Sequence, residues 1–283
     1  MFLGVGLSRS KPSSAPDPFA SVRALWRNRH LWWQFTLRNV ELRHKGSHLG
    51  LIWSLLNPLL MLSLYVFIFG YIFNGRFQSG GAETKLEYAL GIFLGLTIFQ
   101  LFAETLAVSP TVIVTNPNLV KKVVFPLEIL PAAAVGSSVF HTLISLCLVL
   151  LGIAWLGPGL TLHAAWLPLI LAPLILAALG LAWLFAAIGV FLRDINQVIG
   201  FFSMALLYSS ATFYSPTVLP PTAWMILRFN PILLAIDLSR DAVMWHQPLN
   251  MHHLSYLIAI SLIICVGGLA FFRKMSPAFA DVL

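Results

Sequence analysis

Between Glu128 and Arg193 the chain runs for 64 consecutive residues without an Asp, Glu, Lys or Arg. A water-facing surface cannot be built from such a stretch, which is far longer than the roughly 18 apolar residues that mark a membrane span. Over the whole 283 residues, 59% are apolar and 10% charged, well outside the soluble range. The chain therefore reads as an integral membrane protein. Soluble-enzyme, disordered and disulfide-scaffold readings are excluded. Cys147 and Cys265 both fall in apolar runs, where a thiol behaves as a small hydrophobe.

Dividing the apolar runs at their punctuation, with about 20 residues needed to cross about 30 Å of hydrocarbon, gives six spans. They are predicted at 49–73, 88–109, 130–156, 166–192, 197–214 and 254–272. Gly157-Pro158-Gly159 splits the uncharged run in two, because a continuous helix does not tolerate that turn. Residues 1–20 read as a disordered cytoplasmic tail and 273–283 as a second cytoplasmic tail. Met1 to Leu7 is apolar but short, without a basic flank, so no cleaved leader is expected.

With the N-terminus inside, 13 of the 17 basic residues fall in cytoplasmic segments and four outside. This positive-inside bias places both termini in the cytoplasm. The net charge of +7 follows from basic juxtamembrane segments facing anionic headgroups, and nucleic acid is not needed to explain it.

Three segments are neither spans nor simple loops. Residues 21–48 are too polar to insert. On a helical period, Val22, Leu25, Trp26, Trp33, Leu37 and Val40 share one side, while Arg23, Arg27, Gln34, Arg38, Glu41 and Lys45 share another. Such a helix lies in the membrane interface, or packs on a partner. Between the second and third spans, Asn116-Pro117-Asn118 signals a turn and the residues up to Pro126 form a short half-apolar stretch. It reads either as a docking element for a cytoplasmic partner or as a connector with two topology-setting lysines. Outside, Thr222 to Phe229 and Ile232 to Trp245 are amphipathic pieces parted by Asn230-Pro231, each too short to span. Helical pieces dipping back into the bilayer would form a pore mouth; the alternative is a pair of helices lying on the outer headgroups.

Few residues carry recognisable chemistry. No Gly is followed by Lys, so the phosphate-cradling loop of ATPases is absent. His44 and His48 share a helical face but have no third ligand, so no metal is expected. No nucleophilic triad or carboxylate pair stands out, and the spans show no ion-pairing constellation. Glu104, the one acidic residue deep in an apolar stretch, either bonds a neighbouring helix or acts in transport. Gly91 to Gly95 is a GxxxG pattern compatible with close helix packing. Aromatic residues are abundant in and near the first and fifth spans. They can line a path for a sugar chain or simply face lipid.

Arg43-His44-Lys45-Gly46-Ser47-His48-Leu49-Gly50-Leu51-Ile52-Trp53-Ser54-Leu55-Leu56-Asn57-Pro58 and Asn118-Leu119-Val120-Lys121-Lys122-Val123-Val124-Phe125-Pro126-Leu127-Glu128-Ile129-Leu130-Pro131 together resemble the membrane permease subunit of type-two ABC exporters for polysaccharides. Within that group the similarity is to O-antigen, capsular and teichoic acid exporters. It continues through Phe191-Leu192-Arg193-Asp194-Ile195 and Phe229-Asn230-Pro231 over nearly the whole chain. His44 stands where many relatives carry Tyr.

The resemblance implies an all-α integral membrane fold: an amphipathic interface helix in 21–48 and a six-span permease domain over 49–272. A cytoplasmic coupling helix and short re-entrant outer gate helices complete it. It implies a homodimer with two copies of a separate ATPase subunit that binds ATP and Mg, with no cofactor in this chain, in the bacterial inner membrane. The implied substrate channel would be lined by Trp53, Tyr65, Phe69, Phe202, Tyr208 and Tyr214. Coupling would run through Asn118, Leu119, Val120, Lys121, Lys122, Val123, Val124 and Phe125. Trp26, Trp33, Arg38 and Arg43 would belong to the interface helix, and Pro220, Pro221, Trp224, Asn230, Pro231 and Asp237 to the outer gate. The expected function is export of lipid-linked polysaccharide, most specifically O-antigen. Two rivals stay open: a membrane-bound glycosyltransferase or polymerase using the cluster Asp237, Arg240 and Asp241, and an ion-coupled carrier using Glu104.

Overall fold

The computed structural model of the protein describes residues 27–46, 48–72, 77, 83–121 and 125–283. Trp26 and Lys122, Val123 and Val124 lie outside the described residues. Every regular element among those described is helical. In chain order they are α1 (Arg29–His44), α2 (Trp53–Tyr65, extended by wider π-type turns over Val66–Ile72), α3 (Lys85–Val108) and α4 (Pro117–Lys121). Then follow α5 (Ile129–Leu156), α6 (Leu167–Phe191) and α7 (Ile195–Ser209). The last are α8 (Pro221–Leu227), α9 (Pro231–Val243), α10 (Met251–Met275) and α11 (Phe279–Val282).

Four helical stretches are long and apolar enough to cross a membrane: Lys85–Thr111, Ile129–Leu156, Leu162–Phe191 and Met251–Val282. The first and fifth expected spans are represented by shorter apolar helices, Trp53–Phe69 and Ile195–Ser209. The fifteen residues of α7 reach roughly 22 Å, less than the hydrocarbon thickness. α7 was expected to run on to residue 214, but Ser209 and Ser210 turn their hydroxyls back onto the Leu206 carbonyl. Ala211 then adopts a left-handed φ of 53°. Side chains that bond the preceding turn compete with helix continuation.

The helices run back and forth between two ends. α3 and α6 are the most enclosed of the four long stretches. Their Leu90, Leu94, Ile98, Leu174, Ala177 and Ala178 form one core with Val149 and Ile153 of α5 and Ile236 of α9. α6 packs along α10, with Gly180 and Gly268 at the closest approach. Helix association inside lipid depends on such small-residue contacts, because lipid tails are as apolar as leucine. At the end where α3 finishes and α5 begins, a second core gathers Ile113, Leu130, Trp183, Ala187 and Phe272. The segment expected as a C-terminal tail turns back onto this core: Phe279 is fully buried, with its ring 5.4 Å from that of Phe272.

α1 does not lie apart from the bundle. It packs on α5: Trp32 Nε1 donates to the Ala132 carbonyl at 3.0 Å, and a Cβ at Gly136 would meet Thr36 Oγ1 at 2.6 Å. Val40, expected on the lipid side with Trp33 and Leu37, is buried with Thr36, while Trp33 and Leu37 are exposed. The inward stripe is thus Trp32, Thr36, Val40 and Arg43, one helical position away from the one that hydrophobicity alone suggests. A glycine on α5 lets a threonine serve as the contact residue, and hydrophobicity gives no sign of that.

Candidate functional site

Between α2, α3 and α5 lies a cavity of about 390 Å³. Trp53, Asn57 and Tyr65 reach it from α2, Thr97, Gln100 and Glu104 from α3, and His141 and Ser145 from α5. Two of the expected channel residues, Trp53 and Tyr65, therefore share one wall. Thr97 is buried, and its hydroxyl has no hydrogen-bond partner among the described residues. Pro58 inside α2 removes one rung of the helix ladder beside this space. Flat rings, amides and hydroxyls around a cavity of this size can bind a polar organic group by packing on its apolar faces and bonding its edges.

The lower wall is an ion-pair cluster that sequence reading did not find. Glu104 Oε2 lies 2.7 Å from Arg43 Nη1 and 3.2 Å from His141 Nδ1, and Gln100 Nε2 donates to Glu104 Oε1 at 3.0 Å. Arg43 Nη1 also lies 2.8 Å from His141 Nδ1. The expectation that the spans carry no ion-pairing constellation is thus corrected: the partners come from α1 and α5, which only the fold brings to α3. Of the two roles open to Glu104, bonding a neighbouring helix is the one observed. Arg43, expected in the interface helix, sits at that helix's end and turns inward. We expect Glu104→Leu to cost about 1 kcal/mol of stability in detergent, since it takes the carboxylate from the half-exposed Arg43 and the buried His141. The double variant Arg43→Leu/Glu104→Leu should lose less than the sum of the two singles by about 1 kcal/mol. Strictly additive losses in thermal unfolding would show that the pair is not coupled.

From the cavity, rings continue toward the opposite end. Tyr65 and Phe69 have centroids 6.1 Å apart, Phe69 and Phe213 are stacked at 5.6 Å, and Phe213 and Tyr208 lie at 6.2 Å. Tyr214 donates its hydroxyl to the Tyr208 carbonyl at 2.9 Å. Four of the six expected channel residues thus fall in the cavity or along this run, while Tyr214 meets it only through that hydroxyl, its side chain packing against Leu233 and Leu234. Phe202 does not: it is placed 6.3 Å from Phe185 of α6. Phe213, the ring that joins α2 to the end of α7, belongs to the run but was not among the expected channel residues.

The pieces expected at the outer gate are built around two anchors. Asn230 caps α9, its Oδ1 accepting from the Ile232 and Leu233 amides, while its Nδ2 donates to the Ser209 carbonyl. Pro231 follows at the first helical position, where its missing N–H costs nothing. Pro221 opens α8 in the same way, with Pro220 just before it. Arg240 is the second anchor. It is fully buried, donates to the carbonyls of Gly91, Ala211 and Thr212, and lies 4.0 Å over the Phe77 ring. A Cβ at Gly95 would meet Arg240 Nη2 at 2.8 Å, and one at Gly91 would meet Phe77 at 2.8 Å. The GxxxG pattern therefore seats an arginine and a phenylalanine ring as well as backbone. Burial lowers the Arg240 guanidinium to about 10, with Asp237 the first of the groups that oppose the shift, so it is charged at neutral pH. Burial raises Asp237, against the pull of Arg240 and His253. It raises Asp241 to about 7, with the Asp237 carboxylate adding to the rise. The cluster that a glycosyltransferase would need is thus centred on a guanidinium already committed to three backbone carbonyls.

At the other end, the apolar residues of the expected coupling segment are partly withdrawn from the surface. Leu119, Val120 and Phe125 pack on the second core, and the Phe125 ring lies 5.4 Å from Phe35 of α1. Asn118 and Lys121 are exposed. Between α1 and this segment runs a groove of about 260 Å³ edged by Phe35, Arg38 and Asn116.

Residues 30–244, 215 of the 283, match the family described as ABC-2 type transporter. The chain is 27% identical over 249 residues to an O-antigen export system permease protein RfbA of Klebsiella pneumoniae, covering 88% of this chain and 93% of that protein. Against RfbA of Myxococcus xanthus it is 26% identical over 268 residues, covering 92% and 98%. Against the polysialic acid transport protein KpsM of Escherichia coli it is 26% identical over 247 residues, covering 86% and 92%.

Proposed function

This chain belongs to the ABC-2 type transporter family, and from that premise we propose that it is the permease subunit of an ATP-driven exporter of lipid-linked polysaccharide, O-antigen being the preferred cargo. The observation that carries this reading is the aromatic run from Trp53 and Tyr65 through Phe69 and Phe213 to Tyr208. Rings offer a sugar chain flat faces without fixed hydrogen bonds, so successive residues can slide past. Relatives named for O-antigen export and polysialic acid transport support a glycan cargo.

Two copies would pair so that their aromatic runs face a common passage. α7 presents exposed Val198, Phe201, Met204 and Tyr208, and α2 exposed Leu60, Met61, Leu64 and Phe67, an apolar surface suited to a second copy. Both termini would be cytoplasmic in the bacterial inner membrane, in line with the 13 to four division of basic residues. Two copies of a separate ATPase would bind ATP and Mg and dock below α4, and closure of that dimer would push the coupling segment against α1.

The test is export in cells that carry the ATPase partner. A Phe125→Asp variant should insert normally and lose most export, because a carboxylate at a packed contact of this kind costs about 2 kcal/mol or more. Val123→Asp, in the same expected coupling segment, should also lose export. Normal export with either variant refutes the coupling assignment. Glycan movement by this chain alone in vesicles refutes the need for an ATPase.

A further inference from the structure

At the end opposite α4, a groove of about 470 Å³ is lined by Trp224, Arg228, Phe229, Leu234, His253 and Tyr256. We propose that it binds the phosphate and upper acyl chain of an anionic membrane phospholipid. The inference rests only on the chain being a membrane protein and is independent of what is exported.

Depth comes first. α10 has 25 residues, a length of roughly 37 Å, against about 30 Å of hydrocarbon. His253 and Tyr256 are its third and sixth residues, which puts the groove where headgroups meet acyl chains. Trp and Tyr at that level form the usual interfacial belt. Beside the groove, Met225 and Ile226 are 64% and 75% exposed, a surface that hydrocarbon would cover.

Charge comes second. Among the described residues no carboxylate forms an ion pair with Arg228, whose guanidinium stacks 4.7 Å over the Phe229 ring. The carboxylate that acts electrostatically on His253 is Asp237, and Asp237 is shared with Arg240. The lip therefore keeps the Arg228 cation, the side chain best shaped to take a phosphate. Hydrogen-bonding capacity argues against a saccharide. The Tyr256 hydroxyl already donates to the Phe229 carbonyl at 3.0 Å, so Trp224, Arg228 and His253 remain, and none of the three offers a carboxylate or amide oxygen to accept from sugar hydroxyls. One anion site above an apolar slot suits a phospholipid.

The full-length protein, purified in mild detergent, is titrated with dioleoyl phosphatidylglycerol, dioleoyl phosphatidylcholine, inorganic phosphate and a soluble oligosaccharide, with thermal unfolding as the readout. Phosphatidylglycerol should raise the midpoint saturably. Arg228→Gln, at an exposed position, should leave the lipid-free midpoint unchanged and weaken the lipid response roughly tenfold. A photoactivatable phosphatidylglycerol should label the peptide containing Trp224 to Phe229 in the parent and far less in Arg228→Gln. An equal response to inorganic phosphate, to phosphatidylcholine or to the oligosaccharide overturns the proposal. So does an unchanged lipid response in Arg228→Gln, or labelling that maps elsewhere.

Discussion

Arg240→Ala is expected to leave little folded protein in the membrane fraction. The guanidinium is fully buried and bonds carbonyls from two separate stretches of chain, Gly91 of α3 and Ala211 and Thr212 just beyond α7. Truncation deprives those acceptors of a donor where water cannot replace it, at about 1 to 3 kcal/mol each. It also opens a cavity against Phe77 and Gly95, adding about 2 kcal/mol or more. A loss on the order of 5 kcal/mol is comparable to the whole stability of an ordinary domain. Arg240→Lys keeps the charge but cannot present donors in three fixed directions, so it should fall between parent and alanine. Size-exclusion profiles after stepwise heating rank the three. An alanine variant that stays monodisperse to within about 2 °C of the parent would show that the arginine is not the anchor described.

The same residue shows how far sequence alone could reach. Asn230-Pro231 and Pro220-Pro221 were legible as breaks because proline and a capping asparagine act locally. The turn at 157–159 was legible for the same reason, and Gly159 is found at a φ of 87°. Arg240 could be seen as charged, but nothing near it in the chain says that its partners are main-chain carbonyls. The Arg43, Glu104 and His141 cluster was hidden likewise, because each member is alone in its own segment. Val40 was assigned to the wrong face because the face of α1 that packs is decided by a glycine on α5. Phe202 and Phe213 differ little as letters. Only the end of α7 at Ser209, and the left-handed Ala211 after it, turns Phe213 toward Phe69 and leaves Phe202 behind.

Gly267 and Gly268 are neighbours in one helix and should respond oppositely to alanine. A Cβ on Gly268 would land on the Gly180 carbonyl and lie 2.9 Å from Gly180 Cα, and one on Gly180 would land on the Ile264 carbonyl. These obstacles are backbone, so no rotamer change relieves them and α6 and α10 must separate. Inside lipid this contact is what holds the two helices together, and forcing it open should cost about 3 kcal/mol or more. A Cβ on Gly267 meets nothing within 4 Å, and alanine there gains helix propensity, up to about 1 kcal/mol. Gly268→Ala and Gly180→Ala should therefore lower the unfolding midpoint sharply, while Gly267→Ala leaves it level or raises it. The second core, which Leu269 and Phe272 share with Phe279, Leu119 and Phe125, begins next to Gly268, so under the proposed coupling role separation there should also reduce export in whatever Gly268→Ala protein survives. Equal midpoints for the Gly267 and Gly268 variants would mean that α6 and α10 do not meet backbone to backbone.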